Sequence, residues 1–100
     1  MPYKVTYTFR RPDEEVLWHS QHFRDKVSPQ YSFIQKQFDL YNTRTYTLLD
    51  PLTAEIVTVW DSEEQFNEYI NTPAVVFQQE MFDMYNQVKG ITKEVTKTNI

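Results

Sequence analysis

The stretch Ile56 to Phe77, IVTVWDSEEQFNEYINTPAVVF, contains three structural signals in direct succession. It opens with β-branched and aromatic residues that end at Trp60, a composition typical of a strand. Asp61 or Ser62 can then cap a helix, because a Glu-Gln pair follows at the spacing of a reciprocal capping box. The sequence Asn71-Thr72-Pro73 interrupts this helix and starts another one, since a threonine cap followed by proline is a favoured helix start.

The second of these helices carries a regular apolar stripe. We interpret the stripe as its buried face, because its members recur at the spacing of one helix surface. They are Phe77, Met81, Met84 and Val88. Gly90 is the only glycine in the chain and is well placed as a left-handed C-terminal cap. The final ITKEVTKTNI is rich in β-branched residues and predicts a last strand.

Upstream of the quoted stretch, TRTYTLL and AEIVTVW are two strand-like runs separated by Asp50-Pro51-Leu52-Thr53. These four residues suit a tight turn with proline at its second position, so the runs predict a hairpin. A bend or bulge near Asn42-Thr43 would allow the first run to belong to a longer strand.

The first forty residues predict a strand and a helix. Between Tyr3 and Phe9 apolar and polar residues alternate with a period of two, as in a strand with one buried face. Acidic residues then open a segment from Asp13 to Val27 that has the apolar spacing of a helix. The segment Ser28 to Tyr41 admits either a Ser-Pro-capped helical turn or an extended chain, and we favour extended structure from about Phe33.

The element order is therefore β-α-β-β-α-β, the arrangement of an α+β, ferredoxin-like fold with an antiparallel sheet. One hundred residues with 40% hydrophobic content suit a single domain over residues 1–100. No cysteine is present, so disulfides and thiolate chemistry are excluded.

The net charge of −4 argues against a nucleic-acid partner, which needs a clustered positive surface. The N-terminal residues lack the pattern of a signal peptide, and no apolar run approaches the roughly 20 residues of a membrane span. We therefore expect a cytoplasmic protein without a membrane partner.

A resemblance to a known family is carried by the strand ending in VTVW, by DSEEQFNEYINTP and by VVFQQEMF, which together span about Glu55 to Met84. These segments resemble the second half of the dimeric α+β barrel proteins, which include antibiotic-biosynthesis-monooxygenase-like proteins. The resemblance implies a homodimer in which two sheets join into one barrel. It also implies that any ligand cavity lies between a subunit's sheet and its helices.

The same resemblance bears on cofactors. In the haem-degrading branch, the element that corresponds to EYIN carries a tryptophan and the following helix supplies a histidine ligand. Here Tyr69 occupies the first place and no histidine lies near Met81. We therefore expect no haem and no other cofactor, and the catalytic residues remain unknown. In the quinone-forming branch, polar residues surround a phenolic substrate, but they cannot be placed on this sequence.

Two histidines and a tryptophan stand out in the predicted first helix. His19 and His22 are three residues apart and Glu15 precedes them by one turn, which is a weak metal-binding pattern without an evident fourth ligand, and we predict no metal site. The helical projection places Trp18 away from the apolar face and close to His22. A solvent-facing tryptophan often marks an interface, so we predict an interface role for Trp18 and His22.

Two function hypotheses follow. The first is an interaction or accessory protein, which is favoured by the absence of an evident catalytic constellation. The second is a protein that binds a small hydrophobic or aromatic ligand, or oxidises it without a cofactor. In the second hypothesis Trp60, Tyr7 and Tyr69 form a pocket wall with hydrogen-bond donors.

Overall fold

The computed structural model describes residues 1–39 and 43–100. In this part of the chain four strands form one antiparallel sheet in the order β2-β3-β1-β4. The strands are β1 (Tyr3–Arg10), β2 (Arg44–Asp50), β3 (Thr53–Trp60) and β4 (Thr92–Asn99). The described helices are α1 (His19–His22), α2 (Pro29–Gln37), α3 (Glu63–Ile70) and α4 (Pro73–Lys89).

Strand β1 occupies the centre of the sheet and is paired along its whole length on both sides. Tyr7 lies opposite Ile56 of β3 and opposite Val95 of β4. Because successive side chains of a strand point to opposite faces, this register places Tyr3, Val5, Tyr7 and Phe9 on one face. Tyr3, Val5 and Phe9 are buried. The alternation predicted for this strand is confirmed.

The predicted hairpin is confirmed as β2 and β3. The Asp50 carboxylate accepts a hydrogen bond from the backbone N–H of Leu52 (2.8 Å), and a register shift lies between Leu48 and Asp50. The backbone N–H of Arg11 donates to the Leu52 carbonyl (2.9 Å), so the turn is held against the end of β1. The bend suggested near Asn42-Thr43 involves a residue outside the described part of the chain.

The helix signals of the quoted stretch are confirmed. Ser62 is the N-cap of α3, and its hydroxyl accepts the backbone N–H of Gln65 (3.1 Å). The Gln65 side chain in turn accepts the backbone N–H of Asp61 (2.8 Å), so it provides a partner for a backbone donor next to the cap. Helix α4 begins at Pro73 and ends before Gly90, whose φ of 77° is the left-handed conformation that glycine adopts at low cost.

The helix predicted from Asp13 to Val27 is wrong. The Asp13 carboxylate accepts the N–H groups of Glu15 (2.9 Å) and Val16 (3.2 Å), but these bonds close a turn instead of opening a helix. Only the four residues of α1 are helical in this region. A continuous helix would have left Trp18 on the outside, whereas the irregular path buries it, so tertiary packing overrides the local pattern.

The extended structure favoured from Phe33 onward is also wrong, and the alternative of a Ser-Pro-capped helix is correct. The Ser28 hydroxyl accepts the N–H of Tyr31 (3.5 Å) and Pro29 occupies the first turn of α2. Helix α2 continues to Gln37. Residues 40–41, the end of the ambiguous segment, lie outside the described part.

The stripe predicted to be the buried face of α4 lies on the surface instead. Phe77 is 60% exposed, Met84 67% and Val88 81%. The buried residues of this helix are Val75, Gln78 and Asn86. The side of α4 that packs inward is thus partly polar, and a pattern based on hydrophobicity alone selects the opposite side.

Two apolar clusters hold the helices against the sheet. The first cluster is built around Tyr3, Val5, Tyr31, Trp60, Phe66, Tyr69 and Val75. The second joins Phe9, Trp18, Ala54 and Ile91. The predicted ferredoxin-like α+β class is confirmed, with α1 and α2 together replacing the single first helix. No helix in residues 1–39 or 43–100 combines the length and apolarity needed to cross a membrane.

Candidate functional site

A cavity of about 430 Å³ lies between the sheet and the helices. Its volume is within the range of small-molecule sites in proteins. All four helices and three of the four strands of the described chain contribute to its walls. The lining residues are Tyr7, Phe9, His19, Ser20, Phe23, Arg24, Val27, Tyr31, Ser32, Gln35, Arg44, Ile56, Thr58, Trp60, Tyr69, Gln79 and Phe82.

Trp60 forms a rigid part of the wall. Its indole N–H donates to the Thr58 hydroxyl (2.9 Å), and that hydroxyl donates to the carbonyl of Val5 (3.3 Å). Its ring centroid lies 4.9 Å from that of Tyr69 and 5.4 Å from that of Phe66. These contacts fix the indole plane, so a ligand meets an aromatic surface that is already oriented.

Tyrosine hydroxyls cluster in the same cavity. The amide of Gln35 donates to the hydroxyl of Tyr31 (2.9 Å), and the Tyr69 hydroxyl lies near both of these side chains. Burial, reinforced by Tyr31, raises the pKa of Tyr7 to about 12 and raises the pKa of Tyr69 as well. The hydroxyls therefore stay protonated at neutral pH and serve as hydrogen-bond donors, not as bases.

His19 is the buried titratable base of the cavity wall. Its ring lies between the rings of Phe9 and Phe82, with both centroid distances 4.8 Å. Burial, and secondarily the positive charge of Lys93, lowers the pKa of His19 to about 4, although Asp83 opposes the shift. The imidazole is neutral at neutral pH, and among the described residues its buried Nδ1 has no hydrogen-bond partner.

Charge is distributed unevenly around the cavity. The lining residues include Arg24, from the segment after α1, and Arg44, the first residue of β2. No aspartate or glutamate occurs among the lining residues of the described chain. The chain as a whole carries fourteen acidic and ten basic residues, so the cavity has the opposite charge balance.

The structure brings Tyr7, Trp60 and Tyr69 together in the wall of this cavity. Their role in ligand binding stays a prediction. Sequence reasoning missed Tyr31 and Gln35, which project from one face of α2 at i and i+4. Their shared face could not be recognised because this segment was predicted to be extended, and residues at i and i+4 lie on one face only in a helix.

The solvent-facing position predicted for Trp18 is wrong. Trp18 is 4% exposed and packs in the second cluster, with the Arg11 guanidinium 4.7 Å from its ring centroid. The predicted interface role of Trp18 depended on a solvent-facing position, so the structure does not support it. His22 is partly buried and stacks on Tyr85 at 4.5 Å, so the structure gives it a packing partner.

The metal-binding pattern of the sequence consists of Glu15, His19 and His22. Within residues 1–39 and 43–100, Glu15, His19 and His22 do not form a metal-binding group, and neither does any other set of three or more His, Cys, Asp or Glu residues. Met81 is half-buried and is not among the residues that line the cavity.

The fold and the site together define the chain as a ferredoxin-like α+β protein with a cavity between its sheet and its helices. Solved structures share this fold. SnoaB, a cofactor-independent oxygenase from Streptomyces nogalater, matches with a TM-score of 0.65 and 10% sequence identity, covering 99% of this chain and 92% of that chain. A putative antibiotic biosynthesis monooxygenase from Deinococcus radiodurans matches with a TM-score of 0.58 and 15% identity, covering 98% of this chain and 91% of that chain.

A third solved structure is a conserved protein of unknown function from Bacteroides thetaiotaomicron, described as a possible oxidoreductase. Its TM-score is 0.58 at 9% identity, and the match covers 99% of this chain and 97% of that chain. The predicted resemblance to monooxygenase-like proteins of this fold is thereby confirmed at the level of the fold. No protein-family model and no curated protein sequence matches the chain.

Proposed function

We propose that the protein binds a small aromatic molecule in the cavity between its sheet and its helices. The observation that carries this proposal is the composition of the cavity wall, which combines oriented rings with protonated hydroxyls in a volume of about 430 Å³. Such a wall offers stacking surface to a flat apolar body and hydrogen bonds to its polar edge.

Tyr7, Trp60 and Tyr69 are the residues we propose to contact the ligand. Trp60 would provide the flat surface, and the two tyrosines would donate hydrogen bonds to a hydroxyl or carbonyl oxygen of the ligand. The fold is shared with SnoaB, which is described as a cofactor-independent oxygenase. Oxidation of the bound molecule by dioxygen without a cofactor is therefore the catalytic extension of this proposal.

The binding of 2-naphthol, measured by calorimetry and by tryptophan fluorescence, tests the proposal. Tyr69→Phe keeps the ring and removes the hydroxyl, and we expect it to weaken binding by about 2- to 10-fold, the effect of one lost hydrogen bond. Tyr46→Phe is the matched control, because Tyr46 is half exposed and does not line the cavity. The proposal fails if 2-naphthol does not bind, or if both variants weaken its binding equally.

We also propose that the protein forms a homodimer through the outer face of its sheet. That face carries Thr6, Val57 and Val59 and lies opposite to the helices. Sedimentation of the double variant Val57→Lys, Val59→Lys should show a monomer where the unmodified protein is a dimer. An unmodified protein that sediments as a monomer at micromolar concentration contradicts the proposal.

A second candidate function is contact with another protein as an accessory subunit, and the exposed stripe of α4 favours it. Phe77, Met84 and Val88 are exposed along one side of α4, and exposed apolar surface of this kind often marks an interaction site. A photo-crosslinker at Met84 should give one defined adduct in cells, whereas the same group at the exposed Gln87 beside the stripe should give none. Equal labelling from both positions counts against this function. The cytoplasmic location stays a prediction.

A further inference from the structure

The positive groups of the cavity carry an inference about the ligand that rests on the function proposed above. Arg24 and Arg44 belong to segments far apart in the sequence, yet both line the same cavity. Both are exposed, which places their guanidinium groups toward the solvent side of the site and not in its interior.

The carboxylate nearest to Arg24 does not neutralise it effectively. The Arg24–Asp25 contact is long at 3.8 Å, and both side chains are more than 80% exposed, at 82% and 84%. Exposed pairs of this kind contribute little interaction energy because water screens them. Asp25 is also absent from the lining residues, so it does not face the cavity.

The interior of the cavity has a different chemistry. It contains the rings of Trp60 and Phe82 and the hydroxyls of Tyr7 and Tyr69, which remain neutral. His19 adds a neutral imidazole and no charge. A molecule that matches both regions has a neutral aromatic body and one anionic group at its solvent-facing end.

We propose that the ligand of this site is an aromatic carboxylate, held with its ring system inside the cavity and its carboxylate at Arg24 and Arg44. A guanidinium group matches a carboxylate because two parallel N–H groups meet two oxygens. A ligand carboxylate also meets no acidic side chain in the described lining, so its approach is not opposed locally by the overall negative charge of the chain.

A pair of ligands with the same ring system tests the assignment. 2-Naphthoate and 2-naphthamide differ in charge but hardly in shape, and their dissociation constants can be measured by calorimetry at pH 7 and low salt. We expect 2-naphthoate to bind at least about 10-fold more tightly than 2-naphthamide, because hydrogen bonds to a charged group are stronger than those to a neutral group. The preference should decrease as salt is raised, since both arginines are exposed.

Variants of the two arginines test whether they cause the preference for 2-naphthoate. Arg44→Gln and Arg24→Gln should each reduce the ratio between the two dissociation constants, because each should weaken the binding of 2-naphthoate more than that of 2-naphthamide. Arg10→Gln is the matched control: it removes the same charge from an exposed residue that pairs with Glu94 at 3.4 Å and does not line the cavity. The control should retain the full ratio.

The outcomes separate this inference from the function on which it rests. Equal binding of the two ligands, or equal loss of the ratio in all three variants, overturns the carboxylate assignment but leaves aromatic binding in place. If 2-naphthol, 2-naphthamide and 2-naphthoate all fail to bind, the proposed function itself is overturned.

Discussion

Helix α4 carries both polar and apolar residues on its inward side and on its outward side. The inward side buries Gln78 and Asn86 beside Val75, whereas the outward side exposes Phe77, Met84 and Val88. In a helix that only covers a core, apolar residues face inward and polar residues face water. The exposed apolar residues therefore do not contribute to the core, and the buried polar residues need partners inside the fold.

On the inward side Gln78 and Gln79 have identifiable roles, whereas the buried Oδ1 of Asn86 has no hydrogen-bond partner among the described residues. The side-chain oxygen of Gln78 accepts the backbone N–H of Ser28 (3.1 Å), the N-cap residue of α2, so this bond ties the start of α2 to α4. Gln79 lines the cavity. The outward apolar residues have no comparable task within one described chain, which is why an interaction surface is the second candidate function.

The largest test of this difference places the same charge on either side of α4. Val75→Asp buries a carboxylate at a fully buried position, and we expect it to lower the free energy of unfolding by about 4 kcal/mol or more. Val88→Asp, at 81% exposure, should change it by less than about 0.5 kcal/mol. Urea unfolding followed by circular dichroism measures both values.

Similar losses in these two variants would show that the stripe is covered in the folded protein. A concentration-dependent midpoint for the unmodified protein, absent in Val88→Asp, would identify self-association as the cover.

The next test concerns His19, which packs against Phe82 on the inward side of α4. Its pKa is about 4 in the folded protein against an ordinary value of 6.5. Between these values the unfolded chain binds a proton that the folded chain does not, so stability falls as the pH falls through this window. The loss attributable to His19 should reach at most about 3 kcal/mol near pH 4, and it is absent above pH 6.5.

His19→Gln should flatten the pH dependence of the unfolding free energy between pH 6.5 and 4, and His22→Gln, which leaves His19 in place, should retain it. Because carboxylates titrate in the same range, the quantity to compare is the slope of each variant against the unmodified protein. Parallel curves for His19→Gln and the unmodified protein would mean that the pKa of His19 is the same in the folded and unfolded states.

The smallest expected effect belongs to the polar residues of α4. Gln78→Ala leaves the N–H of Ser28 without its partner and opens a small void, so we expect a loss of about 1–3 kcal/mol. Gln87→Ala changes the same residue type on the exposed side and should be neutral within about 0.5 kcal/mol. A thermal melt of each variant gives the comparison, and a neutral Gln78→Ala would remove the structural task assigned here.

The second half of the fold could be predicted because its signals are local. The cap at Ser62, the break at Pro73 and the left-handed Gly90 each depend on residues a few positions apart, and all three are confirmed. The cavity residues Tyr7, Trp60 and Tyr69 came from a strand pattern and a helix position that were correct. Their convergence on one cavity followed from the fold.

The first half could not be predicted because its structure depends on distant contacts. Trp18 does not follow a helical path but packs with Phe9 and Ile91, and no pattern within residues 13–27 indicates these contacts. The prediction of the buried side of α4 was wrong for a related reason. Gln78 is buried because it bonds to Ser28, fifty residues away, and hydropathy cannot represent such a bond.

The central position of β1 has a consequence for the order in which the protein can assemble. Tyr3 pairs with Asn99, so the β1–β4 ladder joins two segments that are far apart in the sequence. The local helices and the β2–β3 hairpin can form before this ladder, because short loops close at lower entropic cost. Until β4 arrives, one edge of β1 has unpaired backbone groups. During this interval the unpaired edge of β1 can pair with a strand of another chain, so the pairing with β4 protects the sheet against aggregation.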